Sequence, residues 1–81
     1  MEISSEQLRA ARALIRWEQK VLAHASKVSL GAIKRLESQR GSLAAQSRTV
    51  EALKSALESA GVIFVEENGE GPGVRLRKAN K

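Results

Sequence analysis

The stretch Leu22–Glu37, reading LAHASKVSLGAIKRLE, restricts the possible folds of this chain more than any other segment. Helix formers run to its first third, the polar SKVS interrupts them, and helix formers resume at Leu30. The reading that follows is a helix over about 19–26, a short turn at Lys27-Val28, and a further helix capped by Ser29. Two short helices joined so tightly predict a helix-turn-helix.

On that third helix, residues placed at 100° intervals put Ala32, Ile33 and Leu36 on one side. Gly31, Lys34, Arg35 and Ser38 share the other, spaced i, i+3, i+4, i+7 as one exposed stripe. Leu30 and Glu37 fall on the flanks. The first helix is expected to start at SSEQ, with Ser4 and Gln7 as a capping box and Leu8, Ala11, Leu14 and Ile15 facing inward. Trp17 reads as a core or hinge aromatic. Residues 38–47, SQRGSLAAQS, read as a loop that holds a short helical turn at Leu43–Ala45. A fourth helix follows, on the apolar repeat Val50, Leu53, Leu57, Ala60, with Ser47 or Thr49 as its cap and Gly61 beyond its end. The period then changes. Val62-Ile63-Phe64-Val65 is β-prone, NGEGPG is a turn, and Val74-Arg75-Leu76-Arg77 alternates apolar with basic.

The expected fold class is therefore mainly α: a compact four- to five-helix bundle containing a helix-turn-helix, with a C-terminal β-hairpin. Residues 1–61 form the helix-turn-helix domain in this reading, and residues 62–78 the hairpin, packed on that domain or at a dimer interface. At 81 residues the chain is one domain with a small core, burying only about 60% of its unfolded surface. With no cysteine and the lone His24, neither disulfides nor a zinc site can support it. No apolar run of signal-peptide or membrane-helix length appears, so a cytoplasmic protein that does not enter the membrane is expected.

Charge adds a direction. Fourteen Lys and Arg against nine Glu give a formal charge of +5, and between Arg9 and Lys54 ten cations face only Glu18, Glu37 and Glu51. The middle of the chain presents a positive field suited to a polyanion. Enzyme readings find no support: there is no G-x-S-x-G, no Walker loop and no triad, and GEGPG lacks the strand-to-helix setting of a phosphate loop. No cofactor is expected.

Gln19, Leu22, Ala23, Val28, Ser29, Ile33 and Glu37, in the frame QKVLAHASKVSLGAIKRLE, resemble the Xre family of Cro-like and phage-repressor-like DNA-binding proteins. RAARALIRW before the frame and VEALKSALESAGVIFVEENGEGPGVRLRK after it look like small bacterial regulators of the same type. Two positions depart from the pattern: Lys27 stands where the family usually has glycine, and Glu18 where it often has a small polar donor. The resemblance implies a second motif helix in the major groove, with Leu30, Gly31, Lys34 and Arg35 facing bases. The wheel reading independently selects Gly31, Lys34 and Arg35. Arg35 can fork onto guanine O6 and N7, Lys34 can reach guanine or phosphate, and Leu30 can pack on a thymine methyl. Gln19 matches the family position that meets the DNA backbone, and Lys20, Lys27, Ser29, Arg40 and Ser42 are further backbone candidates. For Glu37 a structural role, pairing with a nearby cation to lock the motif, competes with a role toward DNA.

The function implied is a sequence-specific DNA-binding transcriptional regulator acting on double-stranded DNA as a homodimer. Val62, Phe64, Val74 and Leu76 are the candidate dimer surface. The alternative is a protein-binding helix-turn-helix module, like an antiactivator or antitoxin, that captures another regulator.

Overall fold

The computed structural model of the protein describes residues 2–78. Helix α1 spans Ser5–Ile15, α2 Gln19–Ser26, α3 Leu30–Glu37 and α4 Ser47–Ser59. Strands β1, Val62–Val65, and β2, Gly73–Leu76, pair antiparallel with Val62 opposite Leu76 and Phe64 opposite Val74. Helix α1 begins as its sequence demands: the Ser4 hydroxyl accepts from the Gln7 N–H at 3.0 Å and the Gln7 Oε1 accepts from the Ser4 N–H at 2.9 Å. It ends at Arg16, which adopts a left-handed conformation (φ 57°) and turns the chain into α2.

Helix α1 packs on α3 and on both strands, α2 packs on α3 and α4, and α4 packs on β1. The core comprises Ile3, Leu8, Ala11, Leu22, Ile33, Leu36, Leu53, Leu57, Val62 and Phe64. Each large member contributes about 1.5–3 kcal/mol by leaving water. Trp17 sits half-buried at the edge of this cluster. Ahead of α1, Ile3 accepts a hydrogen bond at its carbonyl from the Leu43 N–H, and the Ser5 N–H donates to the Gly41 carbonyl. Those bonds hold the segment after α3 extended against the N-terminus, so the helical turn expected at Leu43–Ala45 does not form.

The expectation of a mainly α four- to five-helix bundle with a C-terminal β-hairpin is thereby corrected. Four helices cover about half of the chain, and a two-stranded antiparallel sheet over residues 62–76 completes a compact mixed domain. The strands are no appendage. Val62 and Phe64 fill the common core, and the Gln7 Nε2 donates to the Val65 carbonyl (3.2 Å) and the Gly73 carbonyl (3.0 Å). One nearly buried glutamine thus caps α1 and fastens both strands to it. Sequence period alone reveals β-prone runs, but not this side-chain bridge between residues 58 and 66 positions apart.

Candidate nucleic-acid interface

Helix α3 divides as its wheel demands. Ile33 and Leu36 are fully buried, whereas Gly31, Lys34, Arg35 and Ser38 are exposed and Leu30 keeps 37% of its surface. A Cβ built on Gly31 would meet nothing within 4 Å, so no part of the described chain covers this stripe at its start. The Ser29 hydroxyl accepts the Ala32 N–H at 3.1 Å, which caps the helix and leaves the hydroxyl proton free to donate outward.

The other end of α3 is held by a polar lock. Glu37, 7% exposed, receives both forks of the Arg12 guanidinium: Nε to Oε2 and Nη2 to Oε1, each at 2.7 Å. The Gln19 Nε2 adds a third donor to Oε1 at 3.0 Å, and Arg12 Nη1 donates to the Trp17 carbonyl at 2.8 Å. The Ser5 hydroxyl donates to the Glu37 carbonyl. Burial pushes the Glu37 carboxyl up, but the Arg12 and Gln19 hydrogen bonds outweigh it and hold the group below the usual carboxylate range. The Glu37 hydrogen bond raises Arg12 in turn, against the pull of burial. Breaking such a pair from one side costs several kcal/mol, because the surviving charge stays buried. The lock joins α1, the start of α2 and the last turn of α3, so it sets the tilt of the exposed stripe.

Between α2 and α3 the chain turns through Lys27, Val28 and Ser29. Lys27 is left-handed (φ 65°, ψ 15°), a conformation glycine adopts freely and lysine adopts at a cost of roughly 1–2 kcal/mol. Its N–H closes α2 on the Ala23 carbonyl, and its side chain is exposed. This turn borders an open groove of about 1000 Å³ that runs to the start of α4, with Lys27, Ser29, Arg35, Arg48 and Thr49 among its walls. The N-cap of α4 is Gln46, whose side chain makes no capping bond, rather than Ser47 or Thr49. Its first-turn amides therefore lack a side-chain cap at the positive end of the helix dipole, and Gln46, Arg48 and Thr49 of that end line the groove. Arg48 was not among the residues singled out from sequence. Its place among the cations of the middle of the chain was the only sequence signal, and the expectation of a Ser47 or Thr49 cap drew no attention to it.

Other candidates are located elsewhere. Gln19 does not present its amide freely outward, because Nε2 is engaged by Glu37. Lys20 is exposed, with Nζ 3.8 Å from the exposed Glu18 carboxylate, and that contact answers the charge of Glu18 at the uncapped start of α2. Arg40 and Ser42 belong to the segment drawn against the N-terminus: Ser4 and Ser42 form a bridge, and the Ser42 hydroxyl donates to Glu2 at 3.2 Å. Glu6 accepts the Gly41 N–H nearby, and backbone hydrogen bonds from its own residue and Gly41 keep its carboxyl below the usual range, with Arg9 and Arg40 assisting. Ser42 thus faces an acid, which disfavours a phosphate there. In the sheet, Val62 (0%) and Phe64 (8%) are consumed by their own core and offer nothing to a second subunit. Val74 is half-buried and Leu76 is 52% exposed.

Comparison with protein-family models gives no match to this chain, and comparison with curated proteins gives none either. Among the described residues no helix is long and apolar enough to cross a membrane, and no cluster of three or more His, Cys, Asp or Glu is positioned to hold a metal ion.

Proposed function

We propose that the protein is a sequence-specific double-stranded DNA-binding regulator of transcription, working in the cytoplasm, with α2, the Lys27–Ser29 turn and α3 as its helix-turn-helix. The reading rests on one observation: an uncovered stripe of Leu30, Gly31, Lys34 and Arg35 on a short helix whose far end is fixed by the Arg12–Glu37 lock. A stripe free of its own chain can enter a major groove, and a rigid anchor holds its side chains at constant depth. Arg35 is the best candidate for a bidentate contact to guanine, Lys34 for guanine or phosphate, and Leu30 for a thymine methyl. Lys27, the Ser29 hydroxyl, Arg48 and the open amides of α4 line one groove, and together they suit successive phosphates beside that helix. The resemblance to Xre-type regulators points the same way.

One short helix buries too little for specific affinity, so the proposal includes two copies on a two-fold site, with half-sites about one helical turn apart. Selection of bound sequences from random duplexes, followed by a salt series on the winner, tests it. A palindromic site is expected, with log K falling at about −0.9 per phosphate neutralised. Arg35→Ala should lose about 1–3 kcal/mol and relax preference at one base pair. Equal loss on all sequences would make Arg35 a phosphate contact. Failure to enrich any sequence would favour the second reading, a protein-capturing module, for which the exposed aliphatic Leu30 at the tip of α3 is the supporting observation.

A further inference from the structure

The outer edge of β2 carries three features that the DNA reading leaves unused. The first is backbone. The Arg77 N–H donates to the Gly61 carbonyl at 2.7 Å, which sets the alternation of the ladder: Gly61 with Arg77, Ile63 with Arg75 and Val65 with Gly73 are the bonded pairs. Val74 and Leu76 therefore turn their N–H and C=O groups away from β1, and none of these groups has a hydrogen-bond partner among the described residues.

The second is shape. A groove lined by Glu6, Ala10, Pro72, Gly73 and Val74 runs between α1 and β2. The Gln7 Nε2 on the Gly73 carbonyl sets the level of the two elements, and Trp17 beyond the other end of α1 shares a groove with Ser59 and Ala60, which lead into the partner strand of Leu76. Helix and strand thus run the same way. From Gln7 to Leu14 the helix rises about 10 Å, and from Gly73 to Leu76 the strand extends about 10 Å. Leu14, 39% exposed, follows Ala10 by one helical turn and Leu76, 52% exposed, follows Val74 by two strand residues, so each continues the apolar side of its own element. The third feature is charge. Arg75, Arg77 and Lys78 are all exposed along the strand, while Glu6, Glu66 and Glu67 lie towards its Pro72 end.

We propose that β2 is a docking edge for an extended segment of another protein, added antiparallel or parallel as a third strand, with apolar residues over Val74 and Leu76 alternating with acidic residues beside Arg75 and Arg77. Successive side chains of an added strand face opposite sides, so this alternation is what the edge demands. A second copy of the chain does not fit. Pairing β2 with itself about a two-fold axis would bring both α1 helices beneath strands about 4.8 Å apart, where packed helices need about 8–10 Å. In the register centred on Arg75 it would also juxtapose the two Arg75 side chains. A bare strand has neither difficulty. The inference stands apart from the DNA reading, because the sheet packs on α1 and α4 rather than on the α3 stripe.

The test uses the full chain and two synthetic nonapeptides, one alternating valine with glutamate and one alternating valine with lysine, followed by backbone amide NMR. The glutamate peptide is expected to shift the Val74 and Leu76 amides and to bind roughly 2- to 25-fold tighter than the lysine peptide, from two cross-strand charge pairs at about 1.4- to 5-fold each. The double substitution Arg75→Glu, Arg77→Glu, at two exposed positions whose folding circular dichroism can verify, should reverse that order. Leu76→Pro removes an outward N–H without touching the ladder and should abolish binding of both peptides. Unmoved Val74 and Leu76 amides at excess peptide, or equal affinity for the two peptides, would overturn the proposal. So would shifts at these amides that follow protein concentration alone, which would give the edge to a second copy, or shifts produced by duplex DNA, which would give Arg75 and Arg77 to phosphate.

Discussion

Replacing Gly31 by Ala separates folding from the proposed DNA binding at a single atom. Gly31 is the second residue of α3, and the added methyl would meet no neighbour within 4 Å, so the fold gains helix propensity without a steric cost. Glycine within a helix is worse than alanine by roughly 0.5–1 kcal/mol. For a chain of this length, at about 2.1 cal/mol/K of unfolding entropy per residue, that gain raises Tm by about 3–6 °C. The same methyl stands where the proposed major-groove contact requires the backbone to approach the bases. Displacing the helix from that approach should weaken specific binding by about 10-fold or more, equivalent to roughly 1.4 kcal/mol. Differential scanning calorimetry and a titration with the selected duplex at fixed salt measure both numbers on one sample. A variant that melts higher and binds less tightly meets the expectation. A variant that melts higher yet binds the selected duplex with unchanged affinity would remove Gly31 from the interface, and a lower Tm would refute the structural reasoning itself.

Three further perturbations probe the framework behind the stripe. Glu37→Ala leaves the Arg12 guanidinium largely buried without its partner and should cost about 2–4 kcal/mol in urea unfolding, while joint replacement of Arg12 and Glu37 by methionine should recover much of that loss. The lowered Glu37 carboxyl binds its proton less readily folded than unfolded, so its stabilisation is complete above the ordinary carboxylate pKa and disappears as pH falls through the depressed folded value; Glu37→Gln should flatten the acid limb of the stability profile. Gln7→Glu keeps the cap acceptor but sets a carboxylate against the Val65 and Gly73 carbonyls, so a loss of about 2–3 kcal/mol is expected at neutral pH, easing in acid as the new carboxyl protonates. Lys27→Gly relieves the left-handed strain at the cost of a freer unfolded chain, for a net gain of about 0.5–1 kcal/mol; if Lys27 meets a phosphate, the salt slope of DNA binding should shrink by about one unit.

Local chemistry was legible in the sequence, and distant chemistry was not. The Ser4–Gln7 capping box, the Ser29 cap and the division of α3 into buried and exposed sides follow from neighbours within one turn, where spacing and residue type suffice. The partner of Glu37 did not follow, because Arg12 lies 25 positions away and ten cations in the middle of the chain were equally eligible. Gln7 was assigned a single task by its spacing, yet an amide has donors as well as an acceptor, and tertiary folding directed those donors to the strands. The fold class failed for a related reason: a two-stranded unit reads as an addition when its period is taken alone, and only the burial of Val62 and Phe64 shows that the helices have no closed core without it. Residues 43–45 failed because a backbone bond to Ile3 outcompeted a turn of helix, a contest that composition does not register. Arg16 occupies a left-handed position that propensity assigns to glycine.

The placement of the polar lock has an evolutionary corollary. Since the anchoring groups of α3 are Ile33, Leu36 and Glu37, the outward positions 30, 31, 34 and 35 add to the fold mainly through their helix propensity. Their identity is a free alphabet written on a fixed stem. A combinatorial library randomised at those four sites alone should yield mostly folded members and, if the stripe reads DNA as proposed, new target preferences without compensating changes elsewhere in the chain.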